Sequence, residues 1–191
     1  RLLPSYDVFD EDRYFDAGHV PGVDEIAGVR FGITICEDAW NDVVDAIQTR
    51  RYEANPIADV VAAGAEVIVN LAASPFTLQK RIARPRMLAA IAKKHRRPLI
   101  MVNQVGGQDD IVFDGSSAHW DAQGELRARA HGFREDVIIT ELESGGTIRE
   151  APDNAEQSAI AALTRATRDY ARKCGMKRAV LGLSGGIDSA L

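Results

Sequence analysis

Two stretches of this 191-residue chain carry residue types in an order that could do chemistry. The first is Cys36, which follows the apolar run Phe31-Gly32-Ile33-Thr34-Ile35 without a spacer and precedes Glu37-Asp38-Ala39-Trp40. A nucleophile placed where a strand turns sharply into a helix projects its reactive atom into a cleft. Thiolate is the competent form, so Cys36 needs a neighbouring cation or a helix N-terminus to lower its pKa. By position alone the residue reads first as a buried structural cysteine, because free cysteine is often core, and only its wider context favours the nucleophile. The second stretch is Ser184-Gly185-Gly186-Ile187-Asp188-Ser189-Ala190-Leu191. Its two glycines remove side chains that would keep an anion away from backbone N–H groups. Asp188 or Ser189 can then open a helix, whose N-terminus favours anions. Ser184 and Ser189 add hydroxyl donors, and Asp188 suits a Mg²⁺ that neutralises phosphates. No Gly-Lys-Ser/Thr occurs, so the loop is not of the Walker type, and a plain Gly-Gly turn is the bland alternative.

These residues need elements to hold them. From Val29 to about Leu142 short apolar runs alternate with helical stretches, and strands are expected at 29–35, 66–71 and 99–105. Residues 84–95 read as a helix, with Pro85 in its first turn and Leu88, Ile91 and Ala92 on one stripe. Further strands are expected at 111–113, 116–120, 125–131 and 137–142, with Asp121-Ala122-Gln123-Gly124 as a hairpin turn. The polar stretch from Ser144 to Asp153 reads as a linker. Beyond it Asn154 can cap a helix running to Cys174, with Ile160, Leu163, Thr167 and Tyr170 on one side and Gly175 closing it. Lys177–Leu183 then reads as a short buried strand leading into the serine–glycine loop. The expected organisation is α/β throughout: a layered domain over 1–143, a linker over 144–153, and the start of a second α/β domain over 154–191.

Composition narrows the classes. Hydrophobic residues make up 46% and charged residues 27%, as in an ordinary soluble globular protein. A net charge of −5 argues against a nucleic-acid surface. The one basic run, Lys93-Lys94-His95-Arg96-Arg97, reads as a solvated helix end. No stretch reaches the ~18 consecutive apolar residues of a membrane span. No signal peptide is visible, and the two cysteines suggest a reducing compartment, hence the cytoplasm. The four histidines show no metal-ligand spacing. Cys174, Trp40 and Trp120 read as packing residues, and Asp38 as a cap for the helix after Cys36.

Ser184-Gly185-Gly186-Ile187-Asp188-Ser189 resembles the loop of the ATP pyrophosphatase family, which splits ATP into AMP and pyrophosphate while activating a carboxylate or carbonyl. Four other stretches accompany Cys36: Leu3 to Phe15, Asn70-Leu71-Ala72-Ala73-Ser74-Pro75-Phe76, Val102 to Asp109, and Val112-Phe113-Asp114-Gly115-Ser116-Ser117. With Cys36 they resemble the nitrilase (carbon–nitrogen hydrolase) domain, in the form that precedes the synthetase domain of the glutamine-dependent NAD synthetase family. The resemblance runs from Leu3 to Leu191. It implies the C-terminal part of an α-β-β-α layered domain, followed by the first helix, strand and phosphate loop of a Rossmann-like domain.

It also implies an amidohydrolase built on Glu, Lys and Cys, in which the cysteine attacks a carboxamide, ammonia leaves and water clears the thioester. Cys36 matches the nucleophile. Glu37 matches the position whose backbone N–H helps hold the oxyanion. Glu11 resembles the family's second glutamate, and Tyr6, Phe9, Ser74 and Lys80 fall where the family shapes its glutamine pocket. Ser184, Gly185, Gly186, Ile187, Asp188 and Ser189 match the ATP loop, with Asp188 toward Mg²⁺. The catalytic lysine is expected immediately before the Leu2-Leu3-Pro4 stretch that Arg1 opens, and the general-base glutamate further upstream. The chain therefore reads as a piece of a longer protein, cut at both ends, and Arg1 is no substitute for the lysine because arginine stays protonated. Ala72 stands where the family often has serine. The implied overall reaction uses glutamine, ATP and deamido-NAD: ammonia from glutamine displaces AMP from the adenylated substrate to give NAD, in a homo-oligomeric parent. The rivals are a stand-alone nitrilase-type amidase, another ATP-pyrophosphatase amidotransferase, whose glutaminase domain would differ around Cys36, and an inert fragment.

Overall fold

A computed structural model describes residues 2–19, 21–42, 51–152 and 154–190. Arg1, Asp153 and Leu191, each part of an expectation above, lie outside them. In chain order the elements are β1 (Gly22–Ile26), β2 (Val29–Ile35), α1 (Glu37–Trp40), α2 (Pro56–Ala62), β3 (Val67–Ala72), α3 (Lys80–His95) and β4 (Leu99–Asn103). There follow β5 (Val105–Gln108), β6 (Ile111–Asp114), β7 (Ala118–Trp120), β8 (Leu126–Arg129), β9 (Thr140–Glu141), β10 (Gly145–Gly146) and α4 (Ala155–Lys173).

The main sheet has the order β1-β2-β3-β4-β7-β8. Its centre, β2-β3-β4, is parallel, and the flanking pairs are antiparallel. Parallel neighbours need a crossover, which α2 and α3 supply. Asn55 caps α2 by accepting from Ala58 N at 3.1 Å, with Pro56 at the first helical position, where a missing N–H costs nothing. Gly32 lets α2 approach β2: a Cβ there would stand 2.8 Å from both Val60 Cγ2 and Ala65 Cβ. The helices cover one sheet face and bury Ile57, Ile68, Leu88, Ile91 and Leu99 completely or nearly so. On the other face Ile33, Val69 and Ile100 lie in register, beside Ile35, Leu71 and Val102. That second set is 60%, 47% and 48% exposed, so the sheet carries an apolar face that nothing in the described residues covers.

A second sheet is the hairpin β5–β6, on which α4 rests. Asp169 accepts from Gly107 N at 2.8 Å and from Arg165 Nε at 2.6 Å, and Lys173 Nζ donates to Gly107 O at 2.8 Å. α4 starts where expected, with the Asn154 side chain accepting from Gln157 N at 2.8 Å.

Several expectations need correction. The run 99–105 is divided: Gln104 N turns aside to Ala72 O at 2.9 Å, and the chain passes from one sheet to the other. α3 begins at Lys80, whose N–H is taken by Thr77 Oγ1 at 3.1 Å, so Pro85 lies inside the helix rather than in its first turn. Of 137–142 only Thr140–Glu141 pairs, with the 145–146 end of the expected linker, while Val137 and Ile139 stand in solvent. Residues 147–149 run beside β8, with Arg129 N bonded to Thr147 O and Arg149 N to Arg129 O. The stripe Ile160, Leu163 and Tyr170 of α4 faces outward, and Ser158, Ala162 and Asp169 are buried instead. The hairpin glycines admit only small groups, since a Cβ at Gly107 would stand 3.1 Å from Ala166 Cα. Residues 177–183 form no strand and are exposed, because no described strand lies beside them to take their ladder bonds. Among the described residues no helix is long and apolar enough to cross a membrane.

Candidate active site

Cys36 occupies the single residue between β2 and α1, with φ 32° and ψ −90°. Such a conformation costs on the order of 1–3 kcal/mol and persists only where the surroundings over-determine it. They do so here. Cys36 N donates to Leu71 O at 2.9 Å, and Ala39 N donates to Cys36 O at 3.2 Å. Asp38, fully buried, accepts from Ile35 N and Leu2 N, each at 2.9 Å. It therefore braces the turn by reaching back to the strand, rather than capping α1 as expected. Beneath the turn Asn70 Nδ2 donates to Thr34 Oγ1 at 3.1 Å, and Thr34 Oγ1 donates to Val69 O at 2.9 Å.

Opposing influences act on the Cys36 thiol, and the balance raises its pKa. Burial is the largest and pushes it up; the backbone N–H of Ala73 against the sulfur pulls it down. Glu37 pushes it up, and the cations Lys80 and Arg84 pull it down. Glu37 itself is buried, which raises its carboxyl, against Tyr6 and Tyr52, whose hydroxyls donate to it at 2.7 and 3.2 Å. In return both phenols rise, through burial first and Glu37 second, Tyr52 to about 12. Lys80 is lowered, chiefly by desolvation, and Cys36 works in the opposite direction.

Beside the cysteine lies a cavity of about 320 Å³, lined among others by Tyr6, Glu37, Trp40, Arg51, Tyr52 and Lys80. The volume suits a small polar substrate. Lys80 Nζ stands 5.5 Å from the Trp40 ring centre, and the Arg51 guanidinium lies 4.0 Å over the Tyr6 ring. Asn41 holds the Arg51–Ala54 segment over the cavity, accepting from Arg51 N and Tyr52 N and donating to Tyr52 O and Ala54 O.

The structure thus gathers Cys36, Glu37, Tyr6 and Lys80. Phe9 joins through Tyr6, its ring edge-on with centres 6.0 Å apart. Ser74 is buried next to Ala73; its N–H donates to Asn103 Oδ1 at 3.0 Å, and its hydroxyl has no partner among the described residues. Glu11 opens a single 3₁₀ turn, Glu11–Arg13, and no hydrogen bond among the described residues joins its carboxylate to Cys36 or Lys80. The serine–glycine loop is exposed and closed on itself: Ser184 N and Gly186 O both meet the Ser189 hydroxyl, and Gly186 N meets that of Ser184. Ile187–Ser189, with Asp188 exposed at its middle, forms one 3₁₀ turn rather than a full helix.

Sequence reasoning missed Arg51, Tyr52 and Arg84. Arg84 is buried at the centre of a polar network behind Cys36: its Nη2 meets Asp114 Oδ2 at 2.6 Å, and Asn103 Nδ2 donates to Asp114 Oδ1 at 3.0 Å. A signal existed, because Arg84 shares the buried helix stripe of Leu88 and Ile91, where a cation needs a partner. His119 and His95 have local partners in Thr140 and Asp42, and no cluster of metal ligands occurs among the described residues.

The carbon–nitrogen hydrolase family model matches residues 3–153. The chain belongs to that family. The NAD synthase model matches residues 159–191, so the carbon–nitrogen hydrolase match is followed by the start of an NAD synthase match. A glutamine-dependent NAD(+) synthetase of Synechocystis sp. is 41% identical, over 100% of this chain and 35% of its own length. The Acinetobacter baumannii glutamine-dependent NAD+ synthetase, solved in complex with ADP, superposes with a TM-score of 0.82 at 36% identity, covering 99% of this chain and 35% of that one. A carbon–nitrogen hydrolase from Helicobacter pylori gives a TM-score of 0.59 at 21% identity over 92% of this chain and 59% of its own, which speaks for the fold alone. The chain spans about a third of the length of the curated relatives it matches.

Proposed function

We propose that residues 1–143 belong to the glutamine-hydrolysing domain of a glutamine-dependent NAD synthetase, that 144–153 link it onward, and that 154–191 begin the synthetase domain. The observation that carries the reading is the strained Cys36, next in sequence to Glu37 and within electrostatic reach of Lys80, both of which wall a polar cavity together with Tyr6, Arg51 and Tyr52. The order of the two family matches supports it.

On this reading the Cys36 thiolate attacks the side-chain carboxamide of glutamine. The Ala73 N–H and the charges of Lys80 and Arg84 favour that thiolate. The Glu37 backbone N–H, first in α1, faces the oxyanion, while its side chain, held by Tyr6 and Tyr52, forms the pocket wall. Ammonia leaves and water releases glutamate from the thioester. Lys80, Ser74, Tyr6 and Phe9 hold the substrate, and Glu11 assists proton transfer beside the lysine and general-base glutamate that the family uses.

For the second half-reaction, ATP is bound at Ser184, Gly185, Gly186, Ile187, Asp188 and Ser189. Nothing stands within 4 Å of a Cβ built on Gly182 or Gly185, so phosphates can approach this backbone. Asp188 is a single exposed carboxylate, which fits a Mg²⁺ that takes its other ligands from phosphates and water. Such an ion would neutralise the phosphates. The acceptor is deamido-NAD, the product NAD, and the enzyme a cytoplasmic homo-oligomer.

Incubation of the full-length protein with a diazoketone analogue of glutamine tests the first half. Mass spectrometry should find the adduct on Cys36, protected by glutamine. A stable adduct elsewhere, or labelling that glutamine leaves untouched, contradicts the reading.

A further inference from the structure

A second cavity, of about 280 Å³, lies on the other side of α3 from the active site. Arg81, Arg84 and Pro85 form its helical wall; Phe76, Met101, Trp120 and Phe133 supply apolar surface. Two guanidinium nitrogens, Arg81 Nε and Arg84 Nη1, are buried and have no acceptor among the described residues. The Arg84 side chain is only 5% exposed. Among the described residues Asp114 is the sole acid lining this cavity, and both its oxygens are engaged, by Arg84 Nη2 and Asn103 Nδ2. Arg129 adds a third positive charge, directed to Arg149 O. Arginine stays charged, and a buried N–H without an acceptor is costly. The walls therefore carry uncompensated positive charge and two donors aligned with no protein partner.

We infer that this cavity binds a small organic carboxylate, with its two oxygens at Arg81 and Arg84 and its apolar body against Phe76, Met101, Trp120 and Phe133. Two donor nitrogens match a two-oxygen anion. A phosphate would need further donors, yet the nearby hydroxyls of Ser116 and Ser158 are already donated to Asp114 O and Asn154 O. The volume is at the small end for ligand sites, and the aromatic and proline walls favour a flat body.

Calorimetric titration of the full-length protein with sodium benzoate, and with neutral benzamide, tests the assignment. Benzoate should saturate in about the millimolar range, and benzamide should bind about tenfold or more weakly, since charge-assisted hydrogen bonds carry the site. Arg81→Gln, at a half-buried position outside the Arg84–Asp114 pair, should weaken benzoate about tenfold with the fold intact by circular dichroism. Arg51→Ala, in the other cavity, should leave benzoate binding unchanged. The inference is overturned by an absence of saturation, by benzamide binding as tightly, or by Arg51→Ala matching or exceeding the effect of Arg81→Gln.

Discussion

At Cys36 burial and the Glu37 carboxylate oppose the thiolate, while the Ala73 N–H, Lys80 and Arg84 favour it. Because the sum raises the thiol, its alkylation by iodoacetamide at neutral pH should be slower than that of a solvent-exposed thiol, and should climb as pH rises. Removing a negative neighbour stabilises the anion, so Glu37→Gln should move the midpoint of the pH–rate profile down. Lys80→Gln removes a cation and should move it up. Peptide-resolved mass spectrometry reads both, and a shift of either in the opposite direction contradicts this electrostatic account. Cys36 could be found in the sequence because a strand ending directly on a nucleophile is a local signal. Arg51 and Tyr52 could not, because their place over the cavity depends on Asn41, whose amide gathers the returning chain through space. Glu11 shows the reverse: the motif names it, while the bonds among the described residues do not connect it to the thiol.

Among the elements, close packing of α2 on β2 depends on Gly32. Gly32→Val should destabilise the fold by about 1–3 kcal/mol, measured by denaturant unfolding, because Val60 and Ala65 leave no room. Behind the site, Arg84→Met leaves Asp114 buried without its cation and should cost about 3–5 kcal/mol. Arg84→Met with Asp114→Leu removes both charges, and should recover part of that loss; a double variant that loses as much as the two single variants summed would show that the pair is not coupled. The alternation of short strands and helices was legible because apolar period and length separate the two. Ends were less so. Thr77 starts α3 before Pro85, and Gln104 divides an apolar run between two sheets, both through single hydrogen bonds that no periodicity records. The α4 stripe misled for another reason: the hairpin glycines select small side chains, so the apolar stripe faces outward.

For the whole molecule, the open sheet face and the serine–glycine loop raise the same question of what completes them. Ile35, Leu71 and Val102 form an apolar surface of the kind that a second sheet covers in an α-β-β-α layered domain. Leu71→Lys should accordingly make a polypeptide of these 191 residues less prone to associate, while destabilising the full-length protein by about 2 kcal/mol, as burial of an apolar side chain is worth. Light scattering and thermal unfolding separate the two effects. On the proposed reading Cys36 needs a lysine and a general-base glutamate that these residues do not assign, so the same 191-residue polypeptide should release negligible ammonia from glutamine. The strand expected at 177–183 is the clearest case of sequence preference without its context: Val180 and Leu181 are strand formers, yet a strand needs a neighbour. The central claim is a division of labour between a cysteine hydrolase and an ATP-dependent ligase, and one measurement addresses it directly. In the full-length protein, Cys36→Ala should abolish NAD formation driven by glutamine and leave formation driven by added ammonium salt near the unsubstituted rate. Loss of both activities in a folded variant, or survival of the glutamine-driven one, would contradict it.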